Sequence, residues 1–276
     1  MRDIMLSNGV EIPVIGFGTF PMRKFELINA VWDGVKAGYT LFDTATAYHN
    51  EPELGLALRR YFGEKKKSLF VSTKISNRQQ EMKDTRASLN RSLKKLGLKK
   101  IDMYMLHWPL PDHFIDTWKQ MEDLYDEGKI RVLGVCNFHQ HHLEELFENC
   151  RIKPMVNQVE LHPLLSQKPL RDFCSKNGIV VEAYSPTARM DKKLVKHPVL
   201  EEISNTHNKS VVQIILRWDY QNGVIPIIKS SNKDRMRSNI NIFDFELSKK
   251  EMEMIEGMNE NYRVRHDPDN CDFSKI

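Results

Sequence analysis

Eight short apolar segments alternate with helix-periodic stretches along the chain, and this alternation constrains the fold more than any other feature. The segments are Val14-Ile15-Gly16-Phe17, Leu41-Phe42, Leu69 to Lys74, Ile101 to Leu106, Ile130 to Val135, Met155 to Leu161, Ile179 to Ala183 and Val224 to Ile228. They are rich in Val and Ile, as strands buried on both faces of a parallel sheet are. Between them apolar residues recur at helical spacing. Leu89, Leu93 and Leu96 precede a helix-stopping Gly97; Trp118, Met121, Leu124 and Tyr125 share one face, as do Leu143, Leu146 and Phe147. Asn50-Glu51-Pro52-Glu53 reads as a helix start with Pro in its first turn. Eight strand–helix units in 276 residues favour a closed (β/α)8 barrel, the TIM-barrel architecture, over an open doubly wound sheet.

The ends complete this reading. Asn8-Gly9, inside the stretch Met5 to Ile12, signals a β-hairpin, expected to plug one end of the barrel. A last helix near Lys249 to Met258 leads into an irregular tail. The chain reads as one domain over residues 1–276: hairpin about 4–13, barrel about 14–247, C-terminal helix and tail about 248–276.

With 41% hydrophobic and 28% charged residues, the chain is globular and large enough to need no disulfide or metal for its core. Its four cysteines lack any Cys-x-x-Cys spacing and read as the reduced thiols of a cytoplasmic protein. No apolar run approaches the ~20 residues of a membrane span. Asp3, Asn8 and Glu11 interrupt the first apolar residues, so no signal-peptide core is expected. The net charge is +4, but lysine runs such as Lys65-Lys66-Lys67 and Lys94-Lys95 lack interleaved aromatics and read as solvated faces. Neither a nucleic-acid nor a membrane partner is expected, and the chain reads as a monomer or weak oligomer.

In such barrels reactive groups sit where strands end. Asp43 and the loop residue Tyr48 follow the second strand, Lys74 ends the third and His107 ends the fourth. Four titratable groups on one rim suit reduction of a carbonyl. The developing alkoxide needs a proton or a strong donor. A tyrosine keeps its proton at neutral pH, since its reference pKa is about 10. An ammonium about 4 Å away, at an effective dielectric of about 20, attracts the phenolate by about 4 kcal/mol, so a lowered pKa is expected for Tyr48. Asp43 would hold Lys74 charged, and His107 would position the carbonyl and could assist protonation. No metal is required.

These residues lie in stretches that together resemble the aldo-keto reductase family over nearly the whole chain. The stretches are Ile15 to Phe20, Phe42-Asp43-Thr44-Ala45 with Tyr48, Ser72-Thr73-Lys74, Leu106-His107-Trp108-Pro109, Gly134 to Phe138, Asn157-Gln158-Val159-Glu160, Ala183-Tyr184-Ser185-Pro186 and Ile225 to Ser230. The resemblance implies that Asp43, Tyr48, Lys74 and His107 are the catalytic quartet and that NADPH is the cofactor. Gly18, Thr19 and Phe20 would line the nicotinamide, with Asp43 close by. Asn137 and Gln158 would bind the carboxamide, and Tyr184, next to Ser185, would stack on the ring. Lys229, Ser230, Asn232 and Arg235 would hold the adenosine phosphate, with Asn239 at the adenine. Two cations there favour the phosphorylated cofactor. Phe20, Tyr48, His107, Trp108 and the tail residue Phe273 would line the substrate pocket, which favours apolar or aromatic carbonyls.

The chain departs from the family pattern at Cys136 (usually Ser), at Thr187-Ala188-Arg189-Met190 (usually Leu-Gly), at Ser238 (commonly Glu or Gln) and at Cys271 (frequently Phe). Gly16-Phe17-Gly18 is no dinucleotide fingerprint, because Pro21 stands where the third glycine belongs. His139, His141 and His142 lack a carboxylate or cysteine at ligand spacing and read as a surface cluster. A metal-dependent hydrolase would want His or Asp where Lys74, Asn137 and Gln158 stand. An NADPH-binding regulatory or scaffold barrel with little turnover is the remaining alternative to an enzyme.

Overall fold

The computed structural model describes residues 3–61 and 69–275, and the Lys65-Lys66-Lys67 run lies outside them. β1 (Asp3–Met5) and β2 (Glu11–Pro13) form the antiparallel hairpin. Among the described residues, eight parallel strands then close into a barrel in chain order: β3 (Gly16–Gly18), β4 (Leu41–Asp43), β5 (Phe70–Ile75), β6 (Ile101–Leu106), β7 (Ile130–Cys136), β8 (Val156–Glu160), β9 (Val180–Tyr184) and β10 (Ile225–Ile228), which pairs back onto β3. No described helix is long and apolar enough to cross a membrane.

Period-two alternation sorts each strand into two faces. Phe17, Phe42, Val71, Tyr104 and Leu133 pack outward in the cluster shared with the helices. Leu41, Phe70, Met103, Val132, Val156 and Ile225 form a second cluster inside the barrel, capped by Leu6 and Ile12 of the hairpin. The hairpin is fastened there by the Asn8 amide, which donates to the Arg131 carbonyl at 2.9 Å. Two glycines make room for large neighbours in the lumen. A Cβ on Gly16 would lie 2.3 Å from Ile227 Cδ1, and one on Gly134 would lie 2.8 Å from Met105 Cγ.

The expectation of strands apolar on both faces holds only for the lower barrel. Towards the strand C-termini the lumen is polar: Asp43, Ser72, Lys74, Gln158 and Glu182 are all buried. Register sets four of these side by side, pairing Asp43 with Ser72 and Gln158 with Glu182.

The helices form the outer ring. The first, Lys24–Ala37, lies so close to β3 that a Cβ on Gly34 would be 3.3 Å from the Phe17 ring. After the final helix (Lys249–Glu256) the tail turns back over the barrel. The buried Glu160 carboxylate pins it, accepting from the backbone N–H of Val264 at 2.7 Å and of Arg265 at 3.1 Å.

Candidate active site

Each reactive side chain is placed by the end of a strand. Lys74 is the last lumen-facing residue of β5, and Asp43 ends β4 beside it. The Lys74 Nζ lies 2.7 Å from both Asp43 carboxylate oxygens and 3.0 Å from the Thr44 carbonyl, so all three of its donors are used. Asp43 Oδ1 also accepts from Ser72 Oγ at 2.8 Å and from Gln158 Nε2 at 3.2 Å. A fully buried ion pair needs such added hydrogen bonds to offset its desolvation.

Tyr48 ends a 3-10 turn, Thr46–Tyr48, directly after β4. The turn is tied to β5, because Thr46 Oγ1 donates to the Lys74 carbonyl at 3.0 Å. The Lys74 ammonium stands 5.3 Å from the Tyr48 ring centroid. His107 follows β6 and packs edge-on to the phenol ring, with ring centroids 5.7 Å apart at 78°. Phe20 lies 5.0 Å from Tyr48, Trp108 lies 6.3 Å from His107, and Phe273 of the tail packs edge-on to Trp108 at 6.3 Å. The quartet and the aromatic wall are therefore one site.

Its electrostatics differ from the sequence expectation at Tyr48. Burial pushes the phenol up to about 12, and the nearby Lys74 charge only moderates that rise. Removing the phenolate from water outweighs the attraction of a cation that Asp43 already neutralises. Burial also presses Lys74 towards neutrality, but Asp43, with Tyr48, reverses this and holds the ammonium above its ordinary range. His107 is pushed down to about 3 by burial, then by Lys74 and Arg265. It is a neutral imidazole at physiological pH, so it can donate a hydrogen bond but is no reservoir of an extra proton.

The residues expected at the nicotinamide converge on the same rim. Asn137 follows β7 with φ +66° and donates through Nδ2 to the His107 carbonyl at 3.0 Å. The Tyr184 hydroxyl donates to Asn137 Oδ1 at 2.7 Å, and Ser185 next to it also has positive φ. Thr19 is tied to the Asp43 carbonyl through Oγ1 at 2.9 Å, beside the lumen-facing Gly18. Cys136 keeps a place in this network, since Asn137 Nδ2 lies 3.3 Å from its sulfur. Burial raises its thiol, so it stays protonated.

The residues expected at the adenosine phosphate cluster beyond β10. Lys229 and Arg235 are exposed, and among the described residues neither has a carboxylate in ion-pair range. Ser230 and Asn239 are buried. Asn232 caps the helix Lys233–Ile240, accepting from Asp234 N at 3.0 Å and Arg235 N at 2.9 Å. It positions that helix start rather than presenting a free side chain.

Three features escaped sequence reading. Glu182, inside the apolar run of β9, takes the second proton of the Gln158 amide at 2.8 Å, so Gln158 bridges Glu182 and Asp43. Burial, reinforced by Asp43, pushes the Glu182 carboxyl up to about 8. Alternation from Tyr184 would have placed it inward. The His139–His142 cluster does have a carboxylate, contrary to expectation: the tail brings Asp269 to 2.8 Å from His139, 3.3 Å from His141 and 3.6 Å from His142. Arg263 faces His139 Nε2 at 2.9 Å, which leaves the His139 proton on Nδ1, directed at Asp269. That arrangement is a hydrogen-bonded clasp on the tail. The third feature is Arg265, whose guanidinium stands 5.9 Å from the Phe20 ring centroid.

Glu182 carries a pH-dependent expectation. Its carboxyl titrates at about 8 when folded and near its ordinary 4.5 when unfolded. The fold therefore holds a proton that the unfolded chain sheds, and stability falls as pH rises between those values. Glu182→Gln is expected to be more stable than wild type at pH 8, by on the order of a few kcal/mol, with the gap shrinking towards pH 5. Urea unfolding at both pH values measures it; an equal gap at both would contradict the assignment.

Residues 14–260 match the family model described as the aldo/keto reductase family. The chain is 46% identical over 272 residues to an uncharacterized oxidoreductase, YtbE, of Bacillus subtilis, covering 97% of this chain and 96% of that one. It is 45% identical over 271 residues to the glyoxal reductase of the same organism, covering 98% and 97%. Among solved structures, the Bombyx mori aldo-keto reductase in complex with NADP superposes with a TM-score of 0.89 at 35% identity, covering 97% and 96%.

Proposed function

The chain belongs to the aldo/keto reductase family, and from that premise we propose that Tyr48, Lys74, Asp43 and His107 drive its NADPH-dependent reduction of aldehydes and ketones to alcohols. The observation that carries the assignment is the buried Lys74 ammonium, bonded to both Asp43 oxygens and set beside the Tyr48 phenol.

The donor set fits the cofactor. Lys229 and Arg235 are exposed cations without carboxylate partners among the described residues, as a 2′-phosphate requires. Asn137 and Gln158 carry amides suited to a carboxamide, and the Tyr184 ring lies at the rim for stacking. NADPH, when bound, supplies the hydride to the carbonyl carbon.

The chain's own groups supply the rest. His107, neutral, donates a hydrogen bond that aims the carbonyl oxygen at Tyr48. Tyr48 gives its proton to that oxygen as negative charge develops. Lys74 stabilises the resulting phenolate, and Asp43 keeps Lys74 charged and in place. Phe20, Trp108 and Phe273 present an apolar wall, which favours hydrophobic or aromatic carbonyls. We place the protein in the cytosol, acting on small molecules as a monomer or weak oligomer. Its four free cysteines suit a reducing compartment.

Oxidation of NADPH with a panel of aromatic and aliphatic aldehydes tests this reading. Steady turnover is expected, with a kcat/KM for reduction that is flat from pH 6 to 9, because Tyr48 titrates at about 12 and His107 at about 3. The reverse alcohol oxidation, which needs the phenolate as base, is expected to rise with pH over the same span. A protein that binds NADPH but reduces nothing in the panel would refute the proposal.

A further inference from the structure

Among the described residues, the tail places a guanidinium without a carboxylate partner at the mouth of the reducing site. Its backbone is fixed there: buried Glu160 accepts from the N–H groups of Val264 and Arg265 and also contacts His162 Nε2 at 3.2 Å. Arg263, two residues earlier, is spent on His139. Arg265 is not spent. It is half-buried against the Phe20 ring at 5.9 Å, and among the described residues no carboxylate lies within ion-pair distance of it. Phe20 is itself in contact with Tyr48, and Tyr48 with His107.

The Arg265 nitrogens stay open to solvent, so the five donors of this guanidinium are available to an incoming anion. We infer that Arg265 is a specificity-determining residue that binds an anionic group, a carboxylate on the carbonyl substrate, while the carbonyl sits at Tyr48 and His107. The inference rests on the carbonyl-reducing reading of this site and narrows its substrate class to carbonyl compounds carrying an acid group. The same guanidinium chemistry would also take a phosphate of the cofactor. Its position favours the substrate: Arg265 lies over the Phe20 ring, which contacts Tyr48, and it is near enough to His107 for its charge to help lower that imidazole. Planar, bidentate recognition of a carboxylate is what a guanidinium does best.

The probes are 4-carboxybenzaldehyde and its methyl ester, nearly equal in shape and differing by one charge, assayed with saturating NADPH at low ionic strength. Wild type is expected to favour the acid by about 10- to 100-fold in kcat/KM, through KM rather than kcat. Arg265→Met is expected to abolish that preference while leaving the ester's kcat/KM and the Kd for NADPH unchanged, and Arg265→Lys to restore part of it. Benzoate should bind the NADP+-loaded wild type more tightly than benzamide, and Arg265→Met should remove the difference. Equal use of the two aldehydes by wild type, an equal loss on both in Arg265→Met, or a loss of NADPH affinity alone would overturn the inference while leaving carbonyl reduction standing. Turnover of neither aldehyde by wild type would instead overturn the underlying reading, and this one with it.

Discussion

Replacing Tyr48 by Phe is expected to lower kcat for aldehyde reduction by roughly 100- to 10,000-fold, the range of general acid catalysis, and to leave the Kd for NADPH within about twofold. The ring's packing against Phe20 and His107 survives the change. Lys74 keeps its three oxygen acceptors on Asp43 and Thr44, so no buried donor is orphaned. What disappears is the phenolic proton that the proposed mechanism transfers to the carbonyl oxygen. His107 cannot substitute, because burial and the charges of Lys74 and Arg265 hold it neutral down to about pH 3. Stopped-flow reduction with cofactor binding followed by fluorescence separates the two quantities. A kcat within tenfold of wild type would remove Tyr48 from the role of donor.

Lys74→Met is expected to damage both stability and rate. Asp43 would remain buried with only Ser72 and Gln158 as donors, and an uncompensated buried charge costs about 3–5 kcal/mol. The rate effect is separate. At about 5 Å and an effective dielectric of about 20, a unit charge pair is worth about 3 kcal/mol, and its loss slows a step that forms phenolate by roughly 100-fold or more. Urea unfolding and single-turnover reduction on the folded protein measure the two parts. Wild-type stability in the variant would show that the Asp43–Lys74 pair contributes little to the fold.

Sequence reading brought Asp43, Tyr48, Lys74 and His107 to one rim, where the structure also has them, because barrel chemistry gathers at strand ends, and strand ends are local. Asp43, Lys74 and His107 each close an apolar run, so counting strands placed them on one rim. Glu182 stayed hidden because it interrupts such a run in its middle, where only the two-residue alternation with Tyr184 marks it as inward-facing. Asp269 and Arg265 were beyond reach for a different reason. They meet His139 and Phe20 from the far end of the chain, and no spacing encodes that approach. The direction of the phenol's pKa shift was misjudged, though not its protonation at neutral pH, because charges can be read from residue types, whereas desolvation depends on how closely the walls pack.

The central claim is that Lys74 accelerates reduction by acting on Tyr48, and a double-variant cycle tests it most directly. Single-turnover rates would be measured for wild type, Tyr48→Phe, Lys74→Met and the pair, all folded and saturated with NADPH. Groups that work as one unit are strongly non-additive. The expected result is that adding Lys74→Met to Tyr48→Phe slows the reaction by less than about threefold, because no phenolate remains to be stabilised. A double variant slowed by the full product of the two single effects would show that Lys74 acts on the reaction independently of Tyr48.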